Sequence, residues 1–265
     1  MHSQIGIVVP TLGRRPEFLR QCLKSLRQSS SVYICVVVPS NEQLPEWILS
    51  ESNMVVPDPG HGLAAAINVG INSLPNGITY VNWLGDDDII VDGGLMSLSK
   101  ALEHDANAVL AFGHCRYIDA GGGTLFDVHA GRWAANILRF GPQLVSQPAM
   151  LFCRSAFSEI GGLDESLHWA FDLDLLIRLS HNGTLVPVHT VVACYRWHDE
   201  ALTVGQREGS VREASSVRKR YLPKTLGAVS EVWEAPLRAA ILRAGHLVRW
   251  RVRRTESQRQ FHRNN

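Results

Sequence analysis

No apolar run in this 265-residue sequence reaches the ~20 residues that a membrane-crossing helix needs. Nor does the sequence open with the basic, apolar and small-residue order of a secretory signal. The five cysteines (Cys22, Cys35, Cys115, Cys153 and Cys194) form no C-x-x-C pair and no zinc-ligand spacing. That argues against a disulfide framework and a structural zinc, and for buried thiols in a reducing compartment. Net charge is missing as a signal too: at +1 it gives no whole-protein case for a nucleic-acid partner. No linker-like stretch divides the chain. These absences lead to the expectation of a soluble, cytoplasmic protein, at most peripheral at the inner face of a membrane.

What is present is a composition of 45% hydrophobic and 19% charged residues, that of a well-packed globular protein long enough for one large α/β domain. The first half alternates strand and helix signals. "IGIVVP" (5–10) is followed by Pro16 at a first helical position and by Leu19, Cys22, Leu23 and Leu26 at helical spacing. "VYICVVV" (32–38), "MVV" (54–56), "ITYVNWL" (78–84) and "NAVLAFGH" (107–114) are the further strands, with helices over "LAAAINVGINSL" and "GGLMSLSKALEH". This order implies a mostly parallel central sheet with helices on both faces, whose ligands gather beyond the carboxyl ends of the strands. Later come a hairpin around three glycines (121–123), a strand and short helix in "SQPAMLFCRSAF", a helix in "HWAFDLDLLIRLSHNG" and extended structure in "TLVPVHTVVACYRWH". The expected division is a domain over 1–206, with halves 1–115 and 116–206, and a basic helical tail over 207–265.

The fourth strand runs straight into Gly85 and three aspartates, Asp86, Asp87 and Asp88. Like charges this close repel, so water, a basic neighbour or a bound cation must offset them. A solvated acidic turn before a helix is the plain alternative. "GHGLAA" (60–65) also matches the dinucleotide pattern G-x-G-x-x-A, with Asp86 about 20 residues on. It sits on the third strand rather than the first, however, and leaves two aspartates without a role.

Five segments, spanning roughly residues 5 to 204, resemble the inverting nucleotide-sugar glycosyltransferases of the GT-A fold, family two. They are "IVVPTLGR", "PDPGHGLAAAINVGI", "WLGDDDII", "SQPAMLFCRSAFSEIGGLDESLHWAFDLDLLIRL" and "YRWHDEALT", in the family's order. The resemblance implies a GT-A fold and transfer of a sugar from a nucleoside diphosphate to a carbohydrate, lipid-linked or small-molecule acceptor. It implies a divalent cofactor, Mn2+ or Mg2+, at Asp87, Asp88 and His198. It also places the nucleotide-sugar against Pro10, Thr11, Arg14, Asn68 and Asp86. The chemistry is consistent: a departing diphosphate carries several negative charges, and a hard cation held by carboxylates offsets them.

An acceptor hydroxyl also needs a base. In "FDLDLL", Asp172 and Asp174 are two apart on a helix and point in nearly opposite directions, so only one can face a site. Asp174 has Arg178 four residues on, an ordinary helix ion pair, whereas Asp172 has no such partner. The resemblance puts the base at Asp172. Three positions depart from the family: Pro39-Ser40-Asn41 replaces its base-reading aspartate, Ala65 replaces another aspartate, and Leu12-Gly13 replaces an aromatic-asparagine pair. The nucleobase is therefore open. A non-catalytic nucleotide-sugar-binding relative or a nucleotidyltransferase are the other classes. In the tail, Pro236 suits a helix start, and Leu237, Ile241, Ala244, Val248 and Val252 fall near one stripe flanked by Arg238, Arg249, Trp250 and Arg253. Such a helix packs on the core, on a second copy, or on an anionic membrane surface.

Overall fold

The computed structural model of the chain describes residues 4–29, 32–40, 45–138, 140–198 and 207–263, with backbone alone for 207 and 249–263. The strands are β1 (Ile5–Pro10), β2 (Val32–Pro39), β3 (Met54–Asp58), β4 (Tyr80–Trp83), β5 (Ile89–Ile90), β6 (Ala108–Ile118), β7 (Thr124–Val128), β8 (Met150–Cys153) and β9 (Thr184–Arg196). Among the described residues they form one sheet in the order β3-β2-β1-β4-β8-β6-β9-β5, with β7 paired to β6. β3, β2, β1 and β4 are parallel neighbours. β8 then enters antiparallel to both β4 and β6, and β9 pairs parallel to β6. Two reversals restore the original direction, so β1, β4, β6 and β9 all end on the same edge of the sheet.

Alternation along the strands divides the core. Ile5, Ile7 and Val9 of β1 and Ile34, Val36 and Val38 of β2 face α1 (Pro16–Gln28), α2 (Glu46–Glu51) and α4 (Gly94–His104). Val8, Cys35 and Val37 face the other way, toward α3 (Leu63–Ser73), α6 (Arg154–Glu159) and α7 (Phe171–Asn182). α1 buries Leu19, Cys22, Leu23 and Leu26, the stripe its sequence announces. α3 lies so close to β1 that a Cβ on Gly70 would sit 2.4 Å from Val8 Cγ1, which explains a glycine inside a helix. Three short elements escape the sequence pattern: α2, β5 and α5 (Arg132–Asn136). The fourth strand is also shorter than its apolar run, because Ile78 and Leu84 are buried beyond the ladder.

The tail is not a detached appendage. α8 (Arg207–Tyr221) packs on α7, and the Glu213 carboxylate accepts hydrogen bonds from the backbone N–H groups of His168, Trp169 and Ala170 at 3.0, 2.6 and 2.7 Å. It thereby caps the approach to α7, whose own N-cap residue, Ala170, offers no side-chain cap. Tyr221 donates to Asp174 at 2.6 Å. After α9 (Lys224–Val229) comes α10 (Glu231–Arg263), tied to α8 by a buried Arg218–Glu234 pair with contacts of 2.6 and 2.8 Å. The expectation that Pro236 opens this helix is corrected, because α10 begins at Glu231 and contains the proline. Its inward stripe includes Leu237, Ile241, Gly245 and Val248, the last packed against Trp197; Ala244 is exposed. The side chains of Arg249, Trp250, Val252 and Arg253 lie outside the described residues. Among those described, no helix is long and apolar enough to cross a membrane.

Glu213→Ala leaves three backbone donors without their charged acceptor and should lower the unfolding free energy by about 2–4 kcal/mol in urea denaturation. Glu213→Gln keeps part of the cap and should cost less. Arg212→Ala, which removes only an exposed pair with Glu208, is the control and should change stability by less than about 1 kcal/mol.

Candidate active site

The common carboxyl edge gathers four segments: the loop after β1, the turn after β4, the end of β6 and the end of β9. Leu84 N–H donates to Val8 C=O, and Trp197 N–H donates to Ile118 C=O, so each extension is tied to its neighbour. Asp88 N–H closes a turn onto Gly85 C=O at 3.0 Å, which points the aspartate side chains back over the glycine. A Cβ on Gly85 would lie 2.8 Å from Asp87 Oδ1 and 3.0 Å from Asp88 Oδ2. The space over this glycine is filled by the carboxylates themselves.

Each aspartate has its own partners. Asp86 accepts from the Thr11 hydroxyl at 2.6 Å and from Arg15 Nη2 at 2.6 Å. Asp87 Oδ2 accepts from Arg15 Nη1 at 2.7 Å and lies 2.7 Å from His198 Nε2, which in turn is 2.9 Å from Arg15 Nη1. Asp88 accepts from the backbone N–H of Arg196 at 2.9 Å. The Arg196 side chain is buried at 1% exposure. It donates to Asp87 C=O, Ala120 C=O and Gln21 Oε1 at 2.8, 3.0 and 2.7 Å, and stacks its guanidinium 4.5 Å from the Phe18 ring.

These environments separate the three acids. Burial pushes the Asp88 carboxyl well above its usual value, with the neighbouring Asp87 charge adding to the effect. Burial likewise raises Asp86, against the pull of Thr11 and Arg15. Asp87 goes the other way: burial works to raise it, but the His198 contact and the Arg15 charge together hold it below the usual carboxylate range.

The donor chemistry fits a hard divalent cation in part. Asp87 Oδ2 and His198 Nε2 converge on one point, and that point already receives Arg15 Nη1, a stand-in cation. Among the described residues no three His, Cys, Asp or Glu side chains are arranged to hold a metal ion by themselves. The protein thus offers two donors there, and the remaining positions of an ion would fall to ligand oxygens and water, the usual pattern for Mg2+ at phosphates.

α7 carries Asp172 and Asp174 in its first turn. Asp174, 1% exposed, is consumed by Arg178 at 2.7 Å and Tyr221 at 2.6 Å. Asp172 instead turns outward and accepts from Gln143 Nε2 at 2.7 Å and from Leu173 N–H at 2.8 Å. Burial raises its pKa, with the Gln143 hydrogen bond opposing. Tyr117 on β6 lies within the field of both groups: burial first, and then charges including those of Asp88 and Asp172, push its phenol up.

Of the residues marked in the sequence, Thr11, Asp86, Asp87, Asp88 and His198 meet in one cluster. Pro10 ends β1 beside Val37, next to that cluster. Asn68 is engaged elsewhere: its amide bonds Leu163 C=O, Glu165 and Leu163 N–H at 3.0, 2.9 and 2.9 Å, pinning the Gly161–Gly162 turn to α3. Arg14 is exposed and takes no part in the cluster; Arg15 fills that role. The one signal was its adjacency to Arg14, since the partners of Arg15 lie 71 to 183 residues away. Arg196, Gln21 and Gln143 carried no such signal, because their partners lie 29 to 175 residues away.

No known family profile matches the chain, and no curated protein sequence matches it. Solved structures do. S. aureus TarS 1–349 in complex with UDP-GlcNAc is 12% identical over 84% of this chain and 69% of that one, with a TM-score of 0.62. Its UDP complex gives 0.60 at the same identity. The mannosyltransferase PcManGT from Pyrobaculum calidifontis, in complex with GDP-Man and Mn2+, is 14% identical over 93% of this chain and 76% of that one, with a TM-score of 0.62. At these identities the likeness is one of architecture: the chain has the α/β fold, with its curled and mostly parallel sheet, of the GT-A glycosyltransferases.

Proposed function

We propose that the chain is an inverting, metal-dependent glycosyltransferase of the family-two type, moving a sugar from a nucleoside-diphosphate donor to an acceptor hydroxyl. The observation that carries the reading is the division of labour between two clusters. One gathers Thr11, Arg15, Asp86, Asp87 and His198 where strand ends meet; the other presents Asp172 alone, its neighbour Asp174 being fully engaged. The neighbours' complexes with UDP-GlcNAc, GDP-Man and Mn2+ support the same donor class.

In this reading Asp87 and His198 would hold the cation, and Asp88, expected from the sequence as a further ligand, would serve behind them by fixing the turn through Arg196 N–H. When bound, a divalent ion offsets the charge that develops on the departing diphosphate. Thr11 and Asp86 line the floor on which the donor rests. Asp172 takes the proton of the acceptor hydroxyl as its oxygen bonds to the anomeric carbon and the bond to the diphosphate oxygen breaks. Gln143 holds the carboxylate in position, and the raised pKa of Asp172 makes it a better proton acceptor than an ordinary aspartate.

Asp172→Asn should lower turnover by roughly 10²–10⁴-fold while leaving donor binding near wild type. The pH dependence of stability has a definite sign. A raised carboxyl pKa means the fold favours the protonated form, so the contribution of Asp172 is complete in acid and is lost as pH rises through its raised value. Asparagine cannot ionise, so the melting temperature of Asp172→Asn relative to wild type should rise between acid and neutral pH. Asp174→Asn should instead lose stability at neutral pH, because one oxygen and the negative charge are lost and Arg178 and Tyr221 are left to share a single neutral acceptor. If Asp174→Asn proves the more damaging to turnover at equal stability, the base is assigned to the wrong aspartate.

Thermal shift against UDP, GDP, ADP and CDP, with and without Mn2+, tests the donor class, since a ligand at about 100 times its dissociation constant adds ~2.7 kcal/mol. Asp87→Ala should abolish the Mn2+-dependent part of that shift without unfolding the protein. Release of pyrophosphate rather than nucleoside diphosphate from a sugar nucleotide mixture would mark a nucleotidyltransferase instead.

A further inference from the structure

The Arg15 guanidinium lies where the donor pair Asp87 and His198 converges, and it also reaches Asp86. From this we infer that Arg15 is a tethered counter-ion that holds the place of the divalent cation and releases it when a nucleoside diphosphate arrives, so that metal and nucleotide bind as a coupled pair. The inference rests on the metal position argued under the proposed function, and goes beyond it by assigning a competitor for that position.

Three observations carry it. First, charge demands a cation: three carboxylates share one turn, and without positive charge among them the turn is self-repelling. Two arginines supply it, and only one is free to leave. Arg196 is 1% exposed and is bound to carbonyls on separate segments, to Gln21 and to the Phe18 face. The Arg15 side chain is 25% exposed, and its partners are the carboxylates and His198.

Second, the contacts at this point are over-subscribed. Arg15 Nη1, Asp87 Oδ2 and His198 Nε2 form a triangle with sides of 2.7, 2.7 and 2.9 Å. A single imidazole nitrogen either donates to Asp87 or accepts from Arg15, and cannot do both. One side of the triangle is therefore always unsatisfied. A cation coordinated by the imidazole lone pair and the carboxylate oxygen satisfies both at once, provided Arg15 has moved.

Third, among the described residues two donors meet at this point, so a metal held by them alone gains too little to displace a guanidinium that bridges two carboxylates. A diphosphate changes the balance twice: its oxygens complete the coordination sphere, and its charge gives the displaced guanidinium another anion to pair with. Linkage then requires that nucleotide raise metal affinity by the same factor as metal raises nucleotide affinity.

The test is a Mn2+ titration followed by the electron paramagnetic resonance of free Mn2+, on full-length wild type, Arg15→Gln and Arg15→Lys, with and without UDP or GDP. Removing the competitor should make Arg15→Gln bind Mn2+ alone on the order of tenfold tighter than wild type, while the factor by which nucleotide improves Mn2+ binding shrinks. Arg15→Lys keeps one charge but cannot bridge Asp86 and Asp87 together. It should fall between the two, and it carries the test if Arg15→Gln does not fold. Mn2+ affinity unchanged or weakened in both variants, with wild type binding Mn2+ in the presence of nucleotide, overturns the inference alone. If no form takes up Mn2+ even with nucleotide, the metal position itself is wrong and both readings fall.

Discussion

Three consecutive carboxylates can be held against a buried sheet edge only if a donor or a positive charge meets each of them. Asp86 is met by Thr11 and Arg15, Asp87 by Arg15 and His198, and Asp88 by the backbone of Arg196. None of these partners is local. Two come from the loop after β1 and two from the far end of β9, more than 100 residues away from the aspartates. The constraint therefore reaches into the topology: β1, β4 and β9 must all end on one edge, and the double reversal around β8 is what brings β9 back into the direction of β1 and β4.

The second cluster depends on the first half only indirectly. Asp172 is aimed by α7, and α7 is capped by Glu213 from α8, a helix that the sequence sets apart as part of a basic tail. Part of the tail's charge is paired within the chain. Arg218 pairs with Glu234, Arg220 with Asp164, and Arg238 with Glu231 and Ser215. The first part of this arginine-rich segment is thus also a packing element, set against the helix that carries Asp172.

Local pattern made most of the fold legible. The apolar runs of β1 and β2, the helical stripe of α1 and the polar break after β4 depend on residues close in sequence, and they are where periodicity places them. The engagement of Asp174 by Arg178 was legible for the same reason, since that ion pair spans only four residues. What local pattern could not supply was set at long range. β5 is two residues that exist as a strand only because β9 lies beside them. Arg15 rather than Arg14 faces the aspartates, from 71 and 72 residues away, and Asn68 is used up by a turn some 95 residues on. Arg196 ends β9, as its place in the sequence suggests, and its side chain is also a buried tie between three segments.

The position of β8 bears on how the chain comes to be folded at all. β4 and β6 are the two halves of a gap that only residues 150–153 fill. Until they do, both strands present unpaired backbone groups along an open edge, the exposure most prone to wrong pairing. Closing the gap joins Val81 to Phe152 and Leu110 to Phe152, separations of 71 and 42 residues, so one short strand carries the loop-closure cost of both pairings. A chain emerging from the ribosome at roughly 5–20 residues per second must hold that open edge for seconds before its filling strand exists.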